Sequence, residues 1–393
     1  MEWLFLLLPV AAASGWWMAR RSTRASGGDE REPVFFRGLN YLLNEQPDKA
    51  IDVFLKLVEV DSETAETHLA LGALFRRRGE VDRAIRIHQS LVARQGLGAA
   101  QRGVALYELG RDYMLAGLFD RAESLFRELV EHGLQQQRAL RALIEIYQAE
   151  KEWPRCVETA EALQRISDES LSTEIAHYHC ELAEQCLREG NGDLARSHLL
   201  DAQAVDPDCI RASLVQARME LAGGDVETAA LLYRRVAQRG PRYLPAMLPG
   251  LMECWQRLGR GAVIAELRGL FEQHPSPPLM LRLCDAIEAE RGVAAAREFL
   301  VSYLSRRADL AGAERLLALR GQVQQPPSVE DCVLLEVIAR QLAAQPGYQC
   351  DHCGFEAREL HWQCPSCKRW GSIKAVEPEP IAMPAVLRQR QIA

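Results

Sequence analysis

Two Cys-x-x-Cys pairs, Cys350/Cys353 and Cys364/Cys367, are the residues whose type and spacing point most directly to chemistry. A Cys-x-x-Cys turn aims two sulfurs at one ion, and two such turns complete the tetrahedron that Zn²⁺ or iron adopts among thiolates. Each pair follows an aromatic residue: Tyr348-Gln349-Cys350-Asp351-His352-Cys353 in one half, Trp362-Gln363-Cys364-Pro365-Ser366-Cys367 in the other. The halves therefore read as pseudo-symmetric knuckles. The residues between them, 354–363, suffice for a short hairpin and are too few for a domain. Gly354 permits a tight turn after the second sulfur, and Pro365 stiffens the second knuckle. The predicted metal ligands are Cys350, Cys353, Cys364 and Cys367, holding one Zn or Fe ion. His352 and His361 read as exposed loop residues, because four sulfurs already fill the shell. With no open position for water or substrate, the site reads as structural, a staple for a segment too small to hold its own core.

This segment resembles rubredoxins and zinc ribbons. Lys368 stands where that pattern commonly has glycine, which counts against a rubredoxin-like redox role more than against metal binding. Elsewhere His177, Cys180 and Glu181 fall on one helical face at i, i+3 and i+4, beside His179. A second metal site is conceivable there, though ordinary positions on a repeat helix are the simpler reading. Arg76-Arg77-Arg78 reads as a solvated cap favoured by the helix dipole, and Glu145, Glu150, Glu158 and Glu161 as exposed faces. The sequence has no glycine-rich phosphate loop, no Gly-x-Ser-x-Gly and no His-Glu-x-x-His. It nominates no catalytic residue, no cofactor-binding residue other than the metal ligands, and no enzyme.

The elements that must carry this module repeat. Gly38, Tyr41, Ala50, Phe54 and Leu57 return 34 residues later as Gly72, Phe75, Ala84, His88 and Leu91, and again, after a four-residue insertion near Gly96-Leu97-Gly98, as Gly110, Tyr113, Ala122, Phe126 and Leu129. Weaker copies follow around Cys156, Ala195 and Ala229, with degenerate ones around Val263 and Ala296. A small residue on helix A lets helix B approach, and a small residue on helix B accepts an aromatic. Period and pattern resemble tetratricopeptide repeats, which stack into a superhelix with an extended concave face for peptides or proteins. Ser328 to Ala344 reads as a last amphipathic helix with Ser328 as N-cap and Asp331 at N3, closing the array ahead of the metal module.

The chain ends set the surroundings. Trp3 to Met18 is an apolar run followed by Arg20, Arg21 and Arg24, the order expected of an anchor with its body on the cytoplasmic side. Arg20 to Pro33 reads as a tether with a reach of about 20 Å. The 393-residue chain has a net charge of −7, which argues against a nucleic-acid partner. Of its 11 cysteines, Cys156, Cys180, Cys186, Cys209, Cys254, Cys284 and Cys332 are scattered, as small hydrophobes in a reducing compartment would be. The expected fold is all-α: a tetratricopeptide-repeat superhelical array with an N-terminal transmembrane helix and a small C-terminal rubredoxin-like or zinc-ribbon module. The expected divisions are 1–19 anchor, 20–33 linker, 34–345 repeats, 346–376 metal module and 377–393 disordered tail.

Anchor, repeats and four-cysteine module in this order look like the lipopolysaccharide assembly protein B family (LapB, also called YciM). The most specific stretches are Leu4-Phe5-Leu6-Leu7-Leu8-Pro9-Val10, Arg78-Gly79-Glu80-Val81-Asp82-Arg83-Ala84, Leu109-Gly110-Arg111-Asp112-Tyr113-Met114 and the two knuckles. The resemblance implies an adaptor at the inner membrane of Gram-negative bacteria, single-pass, with a cytoplasmic body. In that family the protein works with the protease FtsH to promote degradation of the deacetylase LpxC, and LapC (YejM) restrains it. Periodicity and spacing alone stop at a membrane-tethered protein-binding scaffold with a metal module. A rubredoxin-like electron-transfer protein is the alternative, and a homodimer is compatible with the sequence.

Overall fold

The computed structural model describes residues 62–259, 263–307, 309–323 and 328–376, together with 40, 41, 49 and 53. The expected anchor, linker and tail, and most of the first repeat, lie outside the described residues. No helix among those described is long and apolar enough to cross a membrane. The chain divides into two compact units. One ends at Glu152 and takes back Arg165–Ser167, and the other holds Trp153–Gln164 and everything from Asp168.

The first unit contains α1 (Ser62–Arg77), α2 (Val81–Val92), α3 (Ala99–Leu115), α4 (Phe119–Glu131) and α5 (Gln136–Glu150). Each packs on the next, and α1 and α5 both touch α3, the stacking expected of repeats. Apolar spacing explains the pairs. In α2 the buried residues are Ala84, Ile87, His88 and Leu91, and in α4 Ala122, Phe126 and Leu129, one stripe of a 3.6-residue helix each. Glycine is required where they cross. A Cβ on Gly110 would lie 2.6 Å from the Phe126 ring, and one on Gly72 would lie 2.3 Å from His88 Nε2.

His88 thus occupies the site of an aromatic, and being polar it needs a partner. Its Nδ1 lies 2.5 Å from Asp112 Oδ2, both side chains fully buried. Arg76 donates from Nη1 to Asp112 Oδ1 at 2.9 Å and from Nη2 to Glu108 at 2.5 Å. This corrects the reading of Arg76 as a solvated cap. The carboxylates it reaches lie on α3, more than 30 residues on, and burial of Asp112 requires a cation beside it.

The second unit contains α6 (Trp153–Ile166, its last residues assigned to the first unit), α7 (Ser172–Arg188), α8 (Gly192–Val205), α9 (Ile210–Gly223), α10 (Val226–Arg239), a 3₁₀ turn (Pro241–Tyr243) and α11 (Leu244–Arg257). α12 (Val263–Gln273), α13 (Pro277–Arg291), α14 (Val293–Arg306), α15 (Leu310–Val323) and α16 (Val329–Ala344) follow. Asn191 and Asp225 cap α8 and α10 by accepting the N–H groups of Leu194 and Thr228. Between α7, α8 and α9 the core is mostly small: Ala176, Cys180, Ala183, Ala195, Ala202 and Ala212. A larger core around Tyr233, Met247, Leu251 and Trp255 runs on through α13 and α14, and Leu360 and Trp362 of the metal module pack against it.

Six of the scattered cysteines are buried and outside any disulfide, while Cys332 is exposed. Ser328 caps α16 as expected, accepting from Asp331 N at 3.1 Å. α16 packs on α15, with Asp331 buried and Leu335, Ile338 and Leu342 half-buried. Val329, Val333, Leu334 and Val337, on the rest of the helix, are exposed.

The module itself is a three-stranded antiparallel sheet of order β2-β1-β3, with β1 Tyr348–Cys350, β2 Glu356–Ala357 and β3 Ile373–Ala375. Tyr348 pairs with Ala357 on one side and Ala375 on the other, and Cys350 pairs with Ile373.

Candidate metal centre

The two knuckles have the same backbone. Cys350 N donates to Phe355 O and Gly354 N to Cys350 O; Cys364 N donates to Arg369 O and Lys368 N to Cys364 O. The fourth residue after each first cysteine is left-handed, Gly354 at φ +75° and Lys368 at φ +60°. The second knuckle therefore keeps the glycine conformation with a lysine in it, at a cost in backbone strain.

These turns bring the four sulfurs within 4.8 Å of one another. Cys350 and Cys367 are 3.8 Å apart, Cys353 and Cys364 3.6 Å. Sulfurs bonded at about 2.3 Å to one tetrahedral ion stand about 3.8 Å apart, so the donor set fits Zn²⁺ or iron with little rearrangement. Charge points the same way. Burial resists ionisation of Cys350, but the nearby Ser372 hydroxyl and the N–H groups of Cys353 and His352 hold its thiol down, at about 6. Cys353 is also lowered, chiefly by the N–H of Phe355. At Cys367 the N–H of Arg369 acts to lower the thiol, yet burial and the sulfurs of Cys353, Cys364 and Cys350 push it up to about 11. Four thiolates in one place need a cation, and together they form a tetrathiolate metal-binding site.

The module does not sit beyond the last helix as a terminal staple. It is seated on the starts of α7, α9 and α11. The Trp370 ring lies 5.1 Å from His177, 5.8 Å from Tyr178 and 6.1 Å from Trp153, and Trp362 stacks on Tyr243 at 5.5 Å. Tyr243 Oη donates to Gly371 O at 3.2 Å. Arg242 donates from Nε to Ala375 O and from Nη1 to Asp351, which Lys374 also approaches at 2.9 Å. Gly371 is left-handed at φ +62°, and a Cβ there would meet His177 Nε2 at 3.1 Å. Arg211, only 2% exposed, puts its guanidinium 5.7 Å and 5.9 Å from the Trp362 and Trp370 rings. Its Nη2 donates to Glu181 at 2.8 Å and Glu184 at 3.1 Å. Burial alone would weaken its hold on a proton, and the Glu184 and Glu181 carboxylates outweigh that. His177 is pushed down to about 3, first by burial and then by Arg211, so it is a neutral ring at the seat.

His177, Cys180 and Glu181 therefore do not converge on an ion. His177 faces the tryptophans, Glu181 pairs with Arg211, and Cys180 lies 4.0 Å from Cys209. Sequence reasoning missed Trp370, Arg211, Arg242 and Tyr243. One signal was available: two tryptophans in so small a module cannot be buried inside it and need an outside partner. Beside the seat is a cavity of about 340 Å³ lined by His177, Arg211, Arg239, Tyr243, Trp362 and Lys374, among others.

The segment 348–375 matches the rubredoxin metal binding domain, and residues 37–99 and 181–243 match the tetratricopeptide repeat. Lipopolysaccharide assembly protein B of Escherichia coli (strain K12) is 38% identical over 382 residues, covering 96% of this chain and 98% of its own. The chain belongs to the lipopolysaccharide assembly protein B family. Its relative of that name in Haemophilus influenzae is 34% identical over 96% of this chain and 98% of its own. Among solved structures, a tetratricopeptide repeat protein from Parabacteroides merdae overlaps 66% of this chain at 15% identity and a TM-score of 0.34. In this lipopolysaccharide assembly protein B family member, the ribbon and the starts of three repeat helices share one interface.

Proposed function

We propose that this chain is a non-enzymatic adaptor of lipopolysaccharide biosynthesis, held at the inner membrane with its body in the cytoplasm. In this reading it brings the deacetylase LpxC to the protease FtsH and so promotes LpxC degradation, while LapC (YejM) restrains it at the membrane. Relatives that match along nearly the whole chain are named for lipopolysaccharide assembly, and stacked repeats serve protein binding.

The observation that carries the adaptor reading is the seat. Four cysteines supply every ligand a tetrahedral ion needs, and the module they fold is wedged against repeat helices. The ion thereby fixes a composite surface instead of offering a reaction centre. We assign Zn²⁺ to it, since a closed shell with structural work to do requires no redox change. The anchor, Trp3 to Met18, belongs to this proposal. Tethering adaptor and client to one membrane raises their effective concentration without any new contact.

Depletion of the protein is expected to lengthen the half-life of LpxC in a pulse-chase experiment. A return to normal turnover should require both the anchor and the four cysteines. An unchanged half-life on depletion would refute the reading.

A further inference from the structure

A second group of metal-ligating side chains lies on the same helix as the seat but away from it. His179 of α7 faces His198 of α8, their ring centroids 5.7 Å apart and tilted by 34°. Asp201 stands one turn beyond His198 at i+3, on the same face. One donor atom from each of the three lies within 4.8 Å of the others. The small core between α7 and α8 explains the approach: alanines at 176, 183, 195 and 202 bring the backbones together, so side chains at the rim meet.

We propose that His179, His198 and Asp201 bind a second divalent transition-metal ion, of the class of Zn²⁺ or Ni²⁺. The Nδ1 atoms of His179 and His198 are buried with no hydrogen-bond partner. His198 Nδ1 is 4.0 Å from Asp201 Oδ2, within ion-pair range and too far for a hydrogen bond. Two such nitrogens beside a carboxylate are what an ion would satisfy at once. Bonds of about 2.0–2.1 Å to a tetrahedral ion place donors about 3.3 Å apart, so these must close by roughly 1.5 Å at most. Side chains at a partly exposed rim can make that change by small rotations.

The electrostatics agree. Burial lowers the affinity of His179 for a proton, which leaves a lone pair for a metal, while the carboxylates of Asp201 and Glu161 make the surroundings negative. An N,N,O set suits Zn²⁺, Ni²⁺, Co²⁺ or Cu²⁺, and is too nitrogen-rich for Mg²⁺ or Ca²⁺. The site differs from the four-cysteine centre in having three protein ligands, which leaves a fourth position for water or a partner's side chain. It would also cross-link α7 to α8, stiffening the helix that presents His177 and Tyr178 to the ribbon.

The test is metal stoichiometry on the full-length protein, measured by mass spectrometry of the metals after equilibration with Zn²⁺, alongside titration with Co²⁺. Two zinc ions per chain are expected. The first Co²⁺ equivalent should give intense sulfur-to-metal absorption and the second only weak d–d bands. Asp201→Asn, at a position 54% exposed, should keep the fold and weaken the second ion by about tenfold or more. His198→Gln should abolish the second ion and leave the thiolate-bound one in place. One zinc per chain in the wild type, or a second ion bound equally well by both variants, would overturn the proposal.

Discussion

In the first unit the tightest helix contacts are closed from within the repeats, by Phe126 on Gly110 and by His88 on Gly72. In the second, Tyr233 closes on Gly250 in the same way, but the starts of α7, α9 and α11 are covered by a ribbon that arrives from 109 or more residues away in sequence. The polar groups follow the same division. Asp112 in the first unit is satisfied by His88 and Arg76 on neighbouring helices alone, whereas Arg211 in the second pairs with Glu181 and Glu184 of a neighbouring helix and also lies against two tryptophans of the ribbon. Repeats can therefore be completed by their own side chains or by a foreign module. Only the second solution ties helix packing to a metal.

Substitutions can break or sharpen this contrast, most strongly at the seat. Trp370→Ala removes a ring held by His177, Tyr178 and Trp153, and should cost about 3–5 kcal/mol of local stability. Hydrogen exchange should locate the loss in the ribbon and the starts of α7 and α9, leaving α2 to α4 unchanged. Asp112→Ala is the counterpart in the first unit. It leaves His88 and Arg76 without their carboxylate and should cost about 3 kcal/mol, read as faster exchange in α1 to α3 with the ribbon intact.

Acid should act unevenly. His177 binds protons more weakly folded than unfolded, so the unfolded state takes up more protons as pH falls from about 6.5 towards about 3. Its contribution to the seat is present above that window and lost within it. Thermal melts of wild type and His177→Phe at pH 7 and pH 5 should show a smaller acid shift in the variant, which keeps a ring against Trp370. The smallest effect belongs to the second knuckle. Lys368→Gly relieves a left-handed residue bearing a Cβ, less the entropy glycine loses on folding. A gain of ~0.5–1 kcal/mol is expected, seen as slower release of the ion to a chelator.

Much of this was legible in the sequence, for local reasons. The Gly72/His88 and Gly110/Phe126 spacings follow from helix geometry within one repeat, as does the Ser328 cap, and each Cys-x-x-Cys turn is complete within a few residues. What escaped reading depended on long-range partners. Arg76 reads as a cap until α3 supplies Glu108 and Asp112. In α16 the exposed Val329, Val333, Leu334 and Val337 are not separable by sequence from the half-buried Leu335, Ile338 and Leu342. His177 and Glu181 share a helical face, yet one turns to Trp370 and the other to Arg211, and no periodicity encodes that choice. The seat itself left only the surplus of tryptophans in a module too small to bury them.

The central claim is that the four-thiolate ion clamps the ribbon onto the repeats. Hydrogen exchange before and after removal of the metal by a chelator tests it most directly. Protection should fall together in residues 348–376 and at the starts of α7, α9 and α11, while α2 to α4 stay as protected as before. If the ribbon alone lost protection and those three helix starts kept theirs, the claim would be contradicted.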